Sequence, residues 1–248
     1  EEKKLLARRP TENLAAYELF LKARAEWNRG IRTSAALDQL EILYQAPVNL
    51  DPNFARAWSV LSWVHGYKYF FNYDRTAARM AKAKAAIDVA VRLAPDAPET
   101  ILYLGYFHYF CSGDYARALE QFERVVRLQP NDDHAFFSIA LIQRRTAKWP
   151  EALESFRRAV EIEPTASYNW RQFGGMLLLG RRFDEAASAY RRLVELPQNA
   201  LGGSFQLATI PFLARGSKRE MEAYLSGLSP DAGLPDRRTW AVWIGDSA

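Results

Sequence analysis

Four prolines constrain this chain more than any other feature. They close the runs "NLDP", "RLAP", "RLQP" and "EIEP" at Pro52, Pro95, Pro130 and Pro164, with spacings of 43, 35 and 34 residues. Each ends an apolar-periodic run, and proline cannot continue a helix because it lacks the N–H and clashes with the preceding turn. Ahead of three successive chain breaks stand "ARALEQFERVVRL", "PEALESFRRAVEI" and "DEAASAYRRLVEL". In each an alanine precedes a ring by four residues: Ala118/Phe122, Ala152/Phe156 and Ala186/Tyr190. Residues i and i+4 share one helix face. The alanine admits a neighbouring helix closely, and the ring fills the space beside it.

Local signals agree with an all-helical chain. Gly113-Asp114 supplies a turn and then an N-cap for a helix from Tyr115. Pro150 suits a first helical turn, and Gly180 ends the helix before "RRFDEAA". Pro47 and Pro211 are expected to disturb their helices. No strand-like alternation competes.

A period of 34 with this layout resembles the tetratricopeptide repeat, a helix–turn–helix unit that stacks into a superhelix. The resemblance rests on residues in phase. One unit carries Phe136, Ile139, Ala140, Ala152, Phe156, Ala159 and Pro164, with Gln143 where the family has a ring. The next carries Trp170, Phe173, Gly174, Ala186 and Tyr190, with its proline one early at Pro197. Trp58, Leu61, Ser62, Ala90 and Pro95 fit a unit with about nine extra residues, which the sequence assigns to the turn around "YKYFFNYDRTA". The implied fold is an all-α, right-handed superhelix, an α-solenoid of about six repeats. Its units run 13–52, 53–95, 96–130, 131–164, 165–198 and 199–226. The first and last are degenerate. Residues 1–12 read as a linker or the start of the first helix, and 227–248 as a capping segment or truncated repeat.

Composition narrows the function classes. The chain of 248 residues is 49% hydrophobic and 25% charged, as globular proteins are. No apolar run reaches the ~18 residues of a membrane span. Lysine and arginine total 33 against 29 acids. The basic pairs are dispersed, whereas a nucleic-acid binder concentrates them on one stripe. Nucleic acid is therefore not the expected partner, and the charge points weakly to an anionic or acidic one. The single cysteine, Cys111, excludes an intramolecular disulfide. The chain begins without Met, and "EEKKLLARRP" reads as linker interior, so a fragment of a longer protein is expected.

Catalytic and metal signals are sparse. His65, His108 and His134 lie in three different units, with no second ligand at metal spacing. His65 and His108 fall in register at the family's core ring position, so packed rings are expected. His108 lies three residues before Cys111, and a nucleophilic pair there is a poor fit because that position points inward. "FGGMLLLG" at 173–180 lies inside a helix after no strand, so its glycines read as packing rather than a phosphate loop. The expectation is no enzyme, no cofactor and no metal.

The family resemblance implies a concave face lined by the first helix of each unit, where partner peptides bind. Mapped onto this chain, it nominates Trp63, Tyr67, Tyr106, Tyr109, Phe110, His134, Phe137, Arg144, Arg145, Tyr168 and Arg171. Aromatic and arginine side chains are enriched at binding hot spots. Tyr106, Tyr109, Phe110 and Phe137 are expected as an apolar floor, and Arg144, Arg145 and Arg171 as a cationic end suited to carboxylates. The same rings could instead pack repeat against repeat. The run "RRPTENLAAYELFLKARAEWNRG" resembles the junction into repeat arrays of multidomain bacterial signalling proteins, where a cyclase, a DNA-binding module, a kinase or a TolB-like domain lies upstream. That resemblance implies a protein-interaction module of a signalling or regulatory protein, in the cytoplasm, or in the periplasm if a membrane span precedes it. Anion or nucleic-acid binding and a structural or oligomerising role, with homo-oligomers through terminal helices, stand as alternatives. "TWAVWIG" is apolar enough to fill the groove or dock a neighbour.

Overall fold

The structure, a computed structural model, describes residues 10–28, 33–196 and 200–228. The described residues form an all-α solenoid. Their helices are α1 (Leu14–Asn28), α2 (Ser34–Leu50), α3 (Ala55–Phe70), α4 (Ala77–Leu93), α5 (Pro98–Phe107), α6 (Tyr115–Leu128), α7 (Asp133–Arg145), α8 (Trp149–Ile162), α9 (Ser167–Leu179), α10 (Phe183–Glu195), α11 (Ala200–Arg215) and α12 (Arg219–Ser226). None is long and apolar enough to cross a membrane. The chain divides into two compact units, between Ile142 and Gln143. In the first, each of α1 to α5 packs on its successor, and α3 also packs on α5. In the second, α8 to α12 pack in succession.

Small residues seat large ones within each helix pair. A Cβ on Gly105 would lie 2.6 Å from the Phe122 ring, and one on Gly174 would lie 2.9 Å from the Tyr190 ring. Ala118, Phe122, Ala152 and Phe156 are fully buried, as the alanine–ring pattern requires. The indoles of Trp58 and Trp170 donate to the carbonyls of Pro52 and Pro164, at 2.9 and 2.8 Å. These bonds fix the start of a repeat to the chain break before it.

The caps follow the sequence. Asp114 accepts from Arg117 N at 3.0 Å, and Thr33 and Thr76 cap α2 and α4 in the same way. The first helix of a repeat ends on a left-handed residue at Asn72, Gly113, Ala147 and Arg181. At 113 that residue is glycine, as it is at Gly216 after α11, whereas the other three carry side chains. Gly180 is the C-cap of α9, but the left-handed conformation falls on Arg181. Pro47 and Pro211 sit inside continuous helices rather than ending them.

Two insertions depart from the expected layout. The nine extra residues of the second repeat do not sit in its turn alone. Compared with α7, α8 and the connection between them, α3, α4 and residues 71–76 are each three residues longer. The third repeat, with its 35-residue spacing, carries one extra residue, and α5 absorbs it in a π-helical turn at His108–Ser112. A π-bulge accommodates one added residue in a helix and rotates the side chains beyond it.

Candidate peptide-binding face

The first unit carries a strip of rings along α1, α3 and the turn after α3. Trp27 meets Trp63 edge-on, with centroids 4.3 Å apart, and meets Tyr67 at 5.4 Å. Tyr67 continues to Phe71 at 4.3 Å and to Tyr73 at 6.4 Å. Trp27, Trp63 and Tyr67 are half-buried, whereas Phe71 is 50% exposed and Tyr73 38%. The lengthened α3 and its six-residue turn carry the last two rings outward.

Three of the rings expected on the floor are buried instead, Tyr109 and Phe110 within the π-turn and Tyr106 on the α-helix before it. Tyr106, Tyr109 and Phe110 are buried and belong to the core of the first unit. Tyr106 packs edge-on against Phe122, and its hydroxyl hydrogen-bonds that of Ser138 at 2.7 Å. Burial pushes the phenol of Tyr106 well above its usual range. Tyr109 packs against Phe70 and Tyr115. The extra residue thus delivers Tyr109, not His108, to the core ring position. His108 is left half-buried beside Phe107. Phe137 is half-buried and His134 exposed on α7.

In the second unit Arg144 donates to Gln172 Oε1 at 2.7 Å and lies over the Phe156 ring at 5.9 Å. Gln143, standing where the family has a ring, accepts from Ser155 Oγ at 2.8 Å. Arg145 and Arg171 are exposed, and Tyr168 is half-buried. In the same unit Arg158 with Glu161, Arg182 with Glu185 and Arg192 with Glu195 are ion pairs one turn apart.

Between α2, α3 and α4 lies an ionic cluster, its cations buried, that no sequence signal announced. Glu41 of α2 accepts from Lys68 Nζ at 2.7 Å and from Arg79 Nη1 at 2.6 Å. Lys68 also reaches Asp38, and Arg79 Nε reaches Asp74 at 2.9 Å. His65 Nδ1 lies 2.8 Å from Arg79 Nη1. Burial works to raise the Glu41 pKa, but hydrogen bonds from Lys68 and Arg79 outweigh it and hold the carboxyl at about 2. Burial lowers His65 to about 4 despite the attraction of Glu41, so its ring is neutral near pH 7. His65 is therefore a packed ring, as its register implied, but one built into a charge network.

Cys111 is poorly suited to act as a nucleophile. Burial pushes the Cys111 thiol up to about 12, so it stays protonated near neutral pH. Among the described residues no group of three metal-ligating side chains converges.

Comparison with known proteins agrees with the geometry. The family model for the tetratricopeptide repeat matches residues 108–167. No curated protein sequence matches the chain. Among solved structures, PilF of Pseudomonas aeruginosa is 16% identical with a TM-score of 0.60, covering 92% of this chain and 97% of that one. PilW, a widely conserved type IV pilus biogenesis factor, is 16% identical with a TM-score of 0.62, covering 90% and 95%. The MamA protein is 15% identical with a TM-score of 0.51, covering 75% and 95%. At these identities the likeness is one of fold.

Proposed function

We propose that this chain, a tetratricopeptide-repeat protein, is a non-catalytic scaffold that holds a peptide or helix of a partner protein. The repeat itself implies protein interaction. Apolar side chains of the partner lie on the ring strip of the first unit, ending at Phe71 and Tyr73. The second unit is read separately: its exposed Arg145 and Arg171 offer a contact of their own for acidic side chains or a terminal carboxylate, with Arg144 steadied by Gln172. The observation that carries this reading is the ring strip itself. It emerges from the core onto the surface at Phe71, where a large ring stands half in water. Rings bury much area with few torsions, and arginine grips carboxylates in a fixed fork. The larger protein is read as bacterial and regulatory, from the opening run of the sequence.

The test is selection of peptides from a random displayed library on the purified chain, with two variants compared. Phe71→Ser/Tyr73→Ser changes only the exposed end of the strip, and Arg145→Glu/Arg171→Glu reverses the exposed cations. Peptides with apolar anchors are expected to be weakened at least ~ten-fold by the ring variant, and peptides rich in acidic residues by the arginine variant. Equal binding by wild type and both variants would reject the assignment.

A further inference from the structure

Residues 71–76 join α3 to α4 and carry the two most exposed rings of the strip, Phe71 and Tyr73. A surface turn of this length has many conformations open to it, and each would aim those rings differently. This turn is held from two directions. On the α3 side the carbonyl of Lys68 accepts from the amides of Tyr73 and Asp74, at 3.0 and 3.2 Å. Asn72 takes the left-handed conformation, φ 64°, that lets the chain double back to that carbonyl. On the α4 side the hold is a side chain. Asp74 Oδ1 accepts from Thr76 Oγ1 at 2.7 Å, and Oδ2 accepts from Arg79 Nε at 2.9 Å.

Arg79 gives Asp74 a fixed point to grip. It is buried, and its Nη1 is engaged by Glu41 and by His65 Nδ1, at 2.6 and 2.8 Å. The forked guanidinium serves the buried cluster with one nitrogen and the turn with another. Hydrogen bonds from Thr76 and Arg79 hold the Asp74 carboxyl below its ordinary range, so it stays ionised near neutral pH. We propose that Asp74 is a positioning residue for the partner site: through Arg79 it fixes the turn so that Phe71 and Tyr73 stand in place before a partner arrives. The role rests on the ring strip being the partner site. Both oxygens of Asp74 are engaged within the protein, so it acts through the turn and not by gripping the partner. A preset turn removes the cost of ordering two large side chains and the backbone between them, a cost otherwise subtracted from affinity.

Asp74→Asn in the full chain tests it. Asparagine lacks the charge and cannot accept on both sides, so either Thr76 or Arg79 loses its acceptor. In the free chain, amide exchange at residues 73 and 74 is expected to quicken at least ~five-fold, with the interiors of α3 and α4 unchanged. Peptides selected on the ring strip are expected to bind the variant at least ~five-fold more weakly. In a Phe71→Ser/Tyr73→Ser background the same substitution is expected to change their binding by less than ~two-fold, because no rings are left to position. A general loss of structure would weaken binding in both backgrounds. Asp88→Asn, which breaks an exposed ion pair with Lys84 inside α4, is expected to leave exchange and binding as in wild type. Unchanged exchange at residues 73 and 74 overturns the proposal. Faster exchange with unchanged peptide affinity overturns the positioning role and leaves the ring strip standing. A wild type that binds no peptide dependent on Phe71 and Tyr73 overturns the partner site itself, and this role with it.

Discussion

Removing Glu41 is the sharpest perturbation of this fold, because one carboxylate serves two buried cations. Lys68 is 2% exposed and Arg79 8%. Breaking a buried pair by deleting one partner costs roughly 3–5 kcal/mol, since the remaining charge is stranded in a poor dielectric. Here each cation keeps a second acceptor, Asp38 for Lys68 and Asp74 for Arg79. Glu41→Ala should therefore fall at the lower end, about 3 kcal/mol. For a chain of this size that corresponds to a fall in Tm of roughly 6–12 °C. Solenoids unfold in parts, so the first transition of a thermal melt, monitored by circular dichroism, is the quantity to compare. Asp38→Asn is the control: Asp38 is mostly exposed and Glu41 still holds Lys68, so its loss should cost less than about 1 kcal/mol. Equal, small effects of the two substitutions would show that Glu41 is not the hub.

The same geometry gives three further expected outcomes. His65 is held near 4, below its unfolded value near 6.5, so the unfolded chain takes up the proton first. Stability is then full above about pH 6.5 and falls as pH drops towards 4. Glu41, depressed to about 2, adds a loss in the same direction below about pH 4.5. Chemical-denaturation midpoints measured against pH should decline over the first window in wild type and decline less in His65→Gln. Gly105→Ala drives a methyl into the Phe122 ring and should destabilise by about 1–3 kcal/mol, read as a lowered denaturation midpoint. Ala147→Gly relieves a left-handed alanine at φ 59° and should stabilise by up to ~1 kcal/mol, read as a raised midpoint, whereas a fall would mean that the alanine side chain is needed there.

The helix pairs were legible because each repeat states its own phase. Proline breaks, alanine–ring pairs and caps agree within a unit, and successive units repeat the statement. Local register was lost. The spacing of 35 between Pro95 and Pro130 does hold the π-turn, as one residue beyond 34, but it does not say where in the repeat that residue goes. Counting straight through it sets Tyr109 and Phe110 on the groove, whereas the bulge turns them into the core. The ionic cluster was illegible for another reason. Glu41, Lys68 and Arg79 come from three helices, and each alone looks like an ordinary solvated charge. Only the packing of α2 against α3 and of α3 against α4 brings them within hydrogen-bonding distance. Among the nominated groove residues, Trp63 and Tyr67 stay on the ring strip, and Arg145 and Arg171 stay exposed.

Whether a partner peptide lies on the ring strip is tested most directly by amide hydrogen exchange with and without a library-selected peptide. A peptide seated there slows exchange at the end of α3 and across residues 71–76, and that protection is lost in Phe71→Ser/Tyr73→Ser. Protection confined to other helices, with the end of α3 unchanged, would contradict a ring-strip site.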